Sequence, residues 1–375
     1  MSPTAVRTIT SSEHRAFIDR QGSASFLQTP AWGRVKSEWR HESIGWFKGG
    51  DIVGAGLVLF RQLPKITKTL AYLPEGPVLD WSDARLMAML AAMTGHLRER
   101  GAFGIRMGPP VTTRTWTAET VKKAIADDTC RRLGDVPPDS RSEVGDAVIS
   151  TLRSAGWRSQ AAEDGFSAGQ PQYVFQVSLA GRDEDSVLGG MNQLWRRNIK
   201  KASKSGVEVR IGSANELPSF HALYVETAAR DHFTPRPLGY FQQMFTAMSD
   251  EDADRIRLYL AYHEGDLVAA TTSVRVGGHV WYSYGASSTS KRELRGSNAV
   301  QWQMIRDAMA AGADVYDLRG ITDTLAADDP NIGLIQFKVG TGGNAVEYVG
   351  EWDLPLNRLL YKAFDVYMSR RQTVR

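Results

Sequence analysis

A single cysteine, Cys130, stands in the 375 residues, so no intramolecular disulfide framework is available. It lies in the polar, turn-rich stretch "DDTCRRLGDVPPDS", and such sparing use of cysteine fits a reducing cytoplasm. Long apolar runs are missing too. "IVGAGLVLF" after Asp51 and "LMAMLAAM" after Arg85 fall well short of the roughly 20 residues that span a bilayer, and the N-terminus has no signal-peptide pattern. The seven histidines are scattered, with no HxxxH or CxxC spacing, which argues against a metal site. The formal net charge is only +3.

What is present is globular composition, 42% hydrophobic and 23% charged. The length favours two domains, since single cores stop growing near about 250 to 300 residues. Against the low net charge, "LWRRNIKKASKSG" (194–206) gathers Arg196, Arg197, Lys200, Lys201 and Lys204. At about 100° per residue they fall within an arc of roughly 140°, one continuous stripe. Val187, Leu188, Met191, Leu194, Trp195, Ile199 and Ala202 project to the other side of the same helix, which Gly206 would end. Such a stripe is either a solvated face or a surface for a polyanion: an RNA backbone, an anionic membrane or a phosphorylated ligand.

The elements follow a repeated order. "SSEHRAFIDRQ" reads as a helix capped at Ser12, "ESIGWFKGGDIVGAGLVLFRQL" as a hairpin turning at Gly49 and Gly50, "DARLMAMLAAMTGHLRERG" as an amphipathic helix, and "AFGIRMGP" as a strand. Residues 111–170 are rich in Pro, Gly and acidic residues around a helix at "EVGDAVISTLRSAG", and the domain boundary is placed there. The second half restarts at "QYVFQVSL", then runs the basic helix, "VEVRIG", a long helix from Leu217, paired strands turning at Gly265–Asp266 and Gly277–Gly278, a helix at "NAVQWQMIRDAMAAG" and the strand "DVYDLRGI". Helix, strands around a hairpin, helix and strand, appearing twice, is the order of an α/β (α+β) acetyltransferase-like (GNAT) fold used in tandem. A GNAT domain that binds coenzyme A presents a Q/R-x-x-G-x-G/A loop at a helix start. Here "ELRGSNA" keeps Gly296 but has Asn298 in place of the second glycine, which weakens an acetyl-CoA reading.

Seven stretches, in order and across nearly the whole chain, resemble the Fem (FemABX) family of non-ribosomal aminoacyltransferases: "FLQTPAWGRVKSEW", "YLPEGPVLDW", "RRNIKKASKSGVEV", "ARDHFTPRPLGYF", "WYSYGASS", "VYDLRGI" and "FKVGTGGNAVEYVGEWD". The resemblance implies two GNAT-like domains, 1–170 and 171–348, with the tail 349–375 returning to the first. It also implies the compact form, without a coiled-coil arm. The implied reaction moves glycine, alanine or serine from aminoacyl-tRNA to the side-chain amine of the third stem residue of a peptidoglycan precursor, lipid-linked or nucleotide-linked, with no cofactor. The enzyme is expected as a monomer in the cytoplasm, in peripheral contact with the inner face of the plasma membrane.

By the same resemblance Lys36 and Arg236 contact the precursor's phosphates. A point charge with a planar fork suits that task. Tyr240 and one of Tyr282 or Tyr284 contact substrate, while Phe337 and Lys338 lie at the reaction centre. Lys338 precedes "VGTGG", a bend expected to let backbone approach a ligand. Family members often carry an acidic residue just after the strand that here reads "GIRMGPPV", where this chain has Gly108 and two prolines. Asp231 and Asp317 are candidate bases, but Asp231 beside Arg230 and Asp317 inside a strand pattern read better as structural partners.

An aminoacyl ester is already activated, so a neutral amine attacks it without a base, and a fixed ammonium at Lys338 would suit the oxyanion. On this reading the basic stripe meets the tRNA acceptor arm or the membrane. Two rivals remain: a tandem-GNAT acyltransferase acting on another amine with acyl-CoA or aminoacyl-tRNA, and a non-catalytic RNA-binding protein.

Overall fold

The computed structural model describes residues 5–62, 67–160 and 169–372, so Leu63 at the end of the expected hairpin and residues 373–375 of the tail lie outside it. The chain divides into two compact units, Met1–Arg114 with Arg141–Gln172 and Glu347–Arg375, and Thr115–Ser140 with Tyr173–Val346. The excursion Thr115–Ser140, part of the 1–170 segment, groups with the second unit.

In the first unit a seven-stranded sheet runs in the order Ala5–Thr8, Arg40–Lys48, Asp51–Gln62, Thr69–Leu73, Ala102–Met107, Trp352–Pro355, Arg158–Ser159. Gly49 and Gly50 both take positive φ, 59° and 103°, as a two-residue hairpin turn requires. Thr69–Leu73 and Ala102–Met107 are parallel, and the helix Leu86–Glu99 makes the crossover with Leu86, Met89, Leu90, Met93 and Leu97 buried at helical spacing. The first helix, Ser11–Ile18, is capped by Thr10 in a box with Glu13, not by Ser12 as the sequence suggested, because the Glu13 carboxylate reaches back to the Thr10 N–H. The strand Trp352–Pro355 returns to pair with Ala102–Met107, where Arg106 grips Asp353 through two 2.7 Å bonds. The following helix lays Tyr361 and Phe364 on Phe103.

In the second unit six neighbouring strands of a larger sheet run in the order Glu208–Gly212, Ile256–His263, Asp266–Val276, His279–Ser287, Val315–Ile321, Tyr173–Ser178. All neighbours are antiparallel except His279–Ser287 with Val315–Ile321, which the helix Gly296–Ala310 connects. That parallel pairing extends only from His279 to Trp281, after which the two strands part. A central sheet with one parallel crossover and a splay beside it is the GNAT pattern, so the fold is two GNAT-like domains in tandem. The long helix expected from Leu217 is two, Leu217–Asp231 and Leu238–Glu251, because His232 takes a left-handed φ of 57° and Pro235 and Pro237 follow.

The basic segment is also two helices, Glu184–Gly190 and Gln193–Lys204, where one was expected. Asn192 starts the second by accepting the Trp195 N–H at 2.9 Å, and this re-phases the face so that Leu194, placed inside by the single-helix projection, is 52% exposed. Among the described residues no helix exceeds 15 residues, so no coiled-coil arm is present, and none is long and apolar enough to cross a membrane.

Candidate functional site

Where the parallel strands part, Val315–Ile321 carries a bulge. Its register against Tyr173–Ser178 shifts between Asp317 and Gly320, and Arg319 sits at φ 64°, a costly conformation for a residue with a Cβ. Asp317 holds this bulge. Its Oδ1 accepts the Arg319 N–H at 2.5 Å, and its Oδ2 meets Gln176 Nε2 at 2.9 Å and His279 Nε2 at 3.3 Å. Burial pushes the Asp317 carboxyl up, but the His279 hydrogen bond and charge, with Arg319 and Gln176, bring it below the usual carboxylate range. A carboxylate so occupied is a structural partner, as its strand position suggested. Asp231 is likewise taken, by two nitrogens of Arg230, Nε and Nη2, at 2.8 and 3.0 Å.

The bulge turns two carbonyls toward Lys338, which stands in the last turn of the helix Ile332–Val339. Lys338 is only 4% exposed; its Nζ donates to Gly320 O at 2.6 Å, with Arg319 O at 3.4 Å. Burial lowers the amine to about 7, against the pull of Asp317 and with the push of Arg319. The fixed ammonium expected from the sequence is therefore a group that titrates near neutrality. With two N–H groups turned to backbone, the ammonium form keeps one further donor.

Phe337 packs its ring 4.7 Å from that of Trp195, a buried residue of the basic helix, and its carbonyl accepts the indole N–H at 2.8 Å. The glycine bend after Lys338 admits close packing within the fold. A Cβ at Gly340 would overlap the Trp195 indole, one at Gly342 the Gly190 carbonyl, and one at Gly343 the Gln176 carbonyl. The structure thus joins Phe337 and Lys338 to the basic helix, a link that sequence spacing does not reveal.

On that helix Arg197, Lys200, Lys201 and Lys204 are exposed, and none of them forms an ion pair among the described residues. Arg196 differs. Its guanidinium donates to Gly189 O at 3.0 Å and Met191 O at 2.6 Å, capping the preceding helix. Arg196→Ala should therefore lower stability by about 1 kcal/mol in thermal unfolding while leaving the salt dependence of polyanion binding unchanged.

A second cluster gathers Arg236, Tyr240 and Tyr284. The Arg236 guanidinium lies 5.3 Å from the Tyr240 ring, and the Tyr240 and Tyr284 hydroxyls meet at 3.1 Å. Tyr224 and Phe241 pack on Tyr284, and Tyr224, which the sequence reading missed, has its phenol pushed up to about 12 by burial. Tyr282 is separated from Tyr284 by a bulge. They pair with consecutive residues, Ser273 and Thr272, and so face opposite sides of the sheet, whereas two residues apart in a regular strand share a side. Tyr282 packs on the core, and burial raises its phenol to about 12.

Lys36 belongs to the first unit, at the end of the helix Pro30–Val35, with its Nζ 5.3 Å from the Trp32 ring. In the same unit the space beside Gly108 is taken from within: a Cβ there would press on the Glu351 side chain. Glu351 Oε1 accepts the Tyr72 hydroxyl at 2.7 Å, and burial pushes its carboxyl up. Asn298, at the place of the second glycine of an acetyl-CoA loop, is buried in the first turn of the helix Gly296–Ala310. Among the described residues no three His, Cys, Asp or Glu side chains gather as a metal would require.

A family model described as the FemAB family matches residues 9–266 and 257–368. The lipid II:glycine glycyltransferase of Staphylococcus haemolyticus (strain JCSC1435) is 22% identical over 429 positions, covering 96% of this chain and 95% of that protein. The lipid II:glycine glycyltransferase of Staphylococcus aureus (strain MRSA252) is 22% identical over 431 positions with the same coverage. Both alignments are longer than this chain, so those relatives carry inserted residues. Among solved structures the fold is similar to FemX, with a TM-score of 0.81, 21% identity and 96% and 99% of the two chains covered. It is more distantly similar to a tandem GNAT protein from the clavulanic acid biosynthesis pathway, with a TM-score of 0.52, 11% identity and 94% and 98% covered. With the family model matched along nearly its whole length, the chain belongs to the FemAB family.

Proposed function

We propose that this protein is a tRNA-dependent aminoacyltransferase that adds glycine, alanine or serine to the side-chain amine of the third stem residue of a peptidoglycan precursor. The observation that carries the reading is Lys338, a buried amine held on Gly320 O at the parting of the strands and fixed through Phe337 to a helix with four outward cations. Family membership and the glycyl transfer named in its relatives support it. The acceptor amine adds to the ester carbonyl, the Lys338 ammonium faces the oxyanion, and the intermediate collapses by breaking the bond to the ribose oxygen, which leaves with the amine's proton. Positioning and one electrostatic donor supply the acceleration. Acyl-CoA is the less fitting donor because the buried Asn298 stands where a pyrophosphate loop at the start of the helix Gly296–Ala310 would have its second glycine.

Lys36 and Arg236 serve the precursor's phosphates, and Tyr240 with Tyr284 its neighbouring groups. Lys36→Ala and Arg236→Ala should raise KM for the precursor more than they lower kcat, since phosphate grip is mostly uniform binding. A precursor lacking the diphosphate should not distinguish either variant from the wild type. The reading itself is tested by incubating the protein with a labelled mixture of aminoacyl-tRNAs and lipid-linked or nucleotide-linked muropeptide. A mass increase of one amino-acid residue on the stem peptide is expected, and an unmodified precursor in both forms overturns the reading.

A further inference from the structure

We propose that Trp195 is the positioning residue for Lys338: its indole ties the first turn of the basic helix to the segment that carries the amine, so a polyanion gripping the helix fixes where the amine stands. Only the identity of that polyanion as tRNA rests on the transfer reading above.

The helix that carries Lys338 ends on an orphan carbonyl. At the end of the helix Ile332–Val339 the Thr341 N–H turns to Lys338 O at 3.0 Å, so Phe337 O loses the partner that a continuing helix would give it. The Trp195 Nε1–H takes that partner's place at 2.8 Å from a side chain only 2% exposed. The Asn192 N–H adds a bond to Gly340 O at 2.9 Å, and Thr341 Oγ1 closes on Lys338 O at 2.6 Å. The indole lies close enough to demand glycine at 340. Lys338 is thus bracketed, its backbone by the basic helix and its amine by Gly320 O. A tryptophan is the one side chain that offers both a ring for Phe337 and a donor with no acceptor to satisfy.

Trp195→Phe keeps a ring and removes the donor, leaving Phe337 O unpaired in a buried place, and the turn bearing Lys338 is what can move to relieve it. The amine then gains solvent, and its protonation midpoint should rise toward that of an ordinary lysine by about one unit. The charged and titratable groups facing it, Asp317 and Arg319 on one strand and His279 beside Asp317 on the next, are left unaltered. A role confined to stability would lower the melting temperature without moving this midpoint.

The test uses the full chain with ¹³Cε-labelled lysine, the Lys338 signal being assigned by its loss in Lys338→Met. Its pH titration is followed in wild type and Trp195→Phe, alone and with an RNA acceptor-stem microhelix. A higher midpoint in the variant supports the proposal, as does a Lys338 signal that responds to the microhelix in wild type and less in the variant. Equal midpoints and equal responses overturn it. Gly340→Ala, which presses on the indole with Trp195 in place, should reproduce the shift and serves if Trp195→Phe does not fold; an unshifted midpoint there overturns the proposal equally. Failure of the microhelix to bind wild type counts against tRNA as the polyanion, and the midpoints alone then decide the positioning role.

Discussion

Lys338→Met should lower the single-turnover rate of transfer, with both substrates saturating, by about 10² to 10³. On the proposed mechanism the removed interaction forms only as the ester carbonyl becomes an oxyanion, so KM for either substrate should barely change. Lys338→Arg should recover part of the rate, its charge being spread over a fork that sits differently. The low value of the amine, about 7, adds a pH signature. In the proposed mechanism the reactive form is the ammonium, whose fraction falls as pH rises through 7, whereas the guanidinium of the Lys338→Arg variant would stay charged. The ratio of wild-type to Lys338→Arg rates should therefore decline about tenfold per unit above that value. A ratio that climbs instead would make Lys338 a base. Stability moves the other way. Between about 7 and the ordinary lysine value the unfolded chain holds a proton that the folded chain has lost, so this group makes the protein more stable as pH rises through that window. Its cost is fully present below 7, and Lys338→Met should raise the melting temperature more at pH 6 than at pH 9.

Reversing Arg197, Lys200 and Lys204 to glutamate should weaken acceptor-stem RNA binding by about 10² or more and flatten its log–log salt dependence by about three units, one per lost phosphate contact. The fold should persist, because these side chains are exposed and form no ion pair among the described residues. Arg196 is left in place since it caps the helix Glu184–Gly190. The same variant tested on anionic vesicles separates the two surfaces proposed for the stripe. Loss on RNA alone assigns it to tRNA, loss on vesicles alone assigns it to the membrane, and no loss on either returns it to a solvated face.

The sequence made the tandem α/β order legible because each crossover helix and each Gly-Gly or Gly-Asp turn is a local signal, written in apolar spacing and in residues that accept positive φ. What escaped was set by partners distant in the chain. Nothing near Asn192 announces that it will cap a new helix, yet that cap turns Leu194 outward and Trp195 onto Phe337. The bulge at Ser283 reverses one tyrosine of "WYSYG" relative to the other, and no spacing argument could separate Tyr282 from Tyr284. Motif resemblance points to Lys338, but the lowering of its amine comes from burial beneath a bulge held by Asp317, which depends on three strands meeting. Tyr224 gave no signal at all, as a helix tyrosine among apolar neighbours reads as core.

The central claim, that an aminoacyl-tRNA is the donor, is tested most directly by following radiolabel from aminoacyl-tRNA into the muropeptide, with one sample treated with ribonuclease and another given acetyl-CoA in place of tRNA. Label is expected in the product only where the tRNA is intact, with coenzyme A making no difference. Acylated product formed from acetyl-CoA after ribonuclease treatment would contradict it.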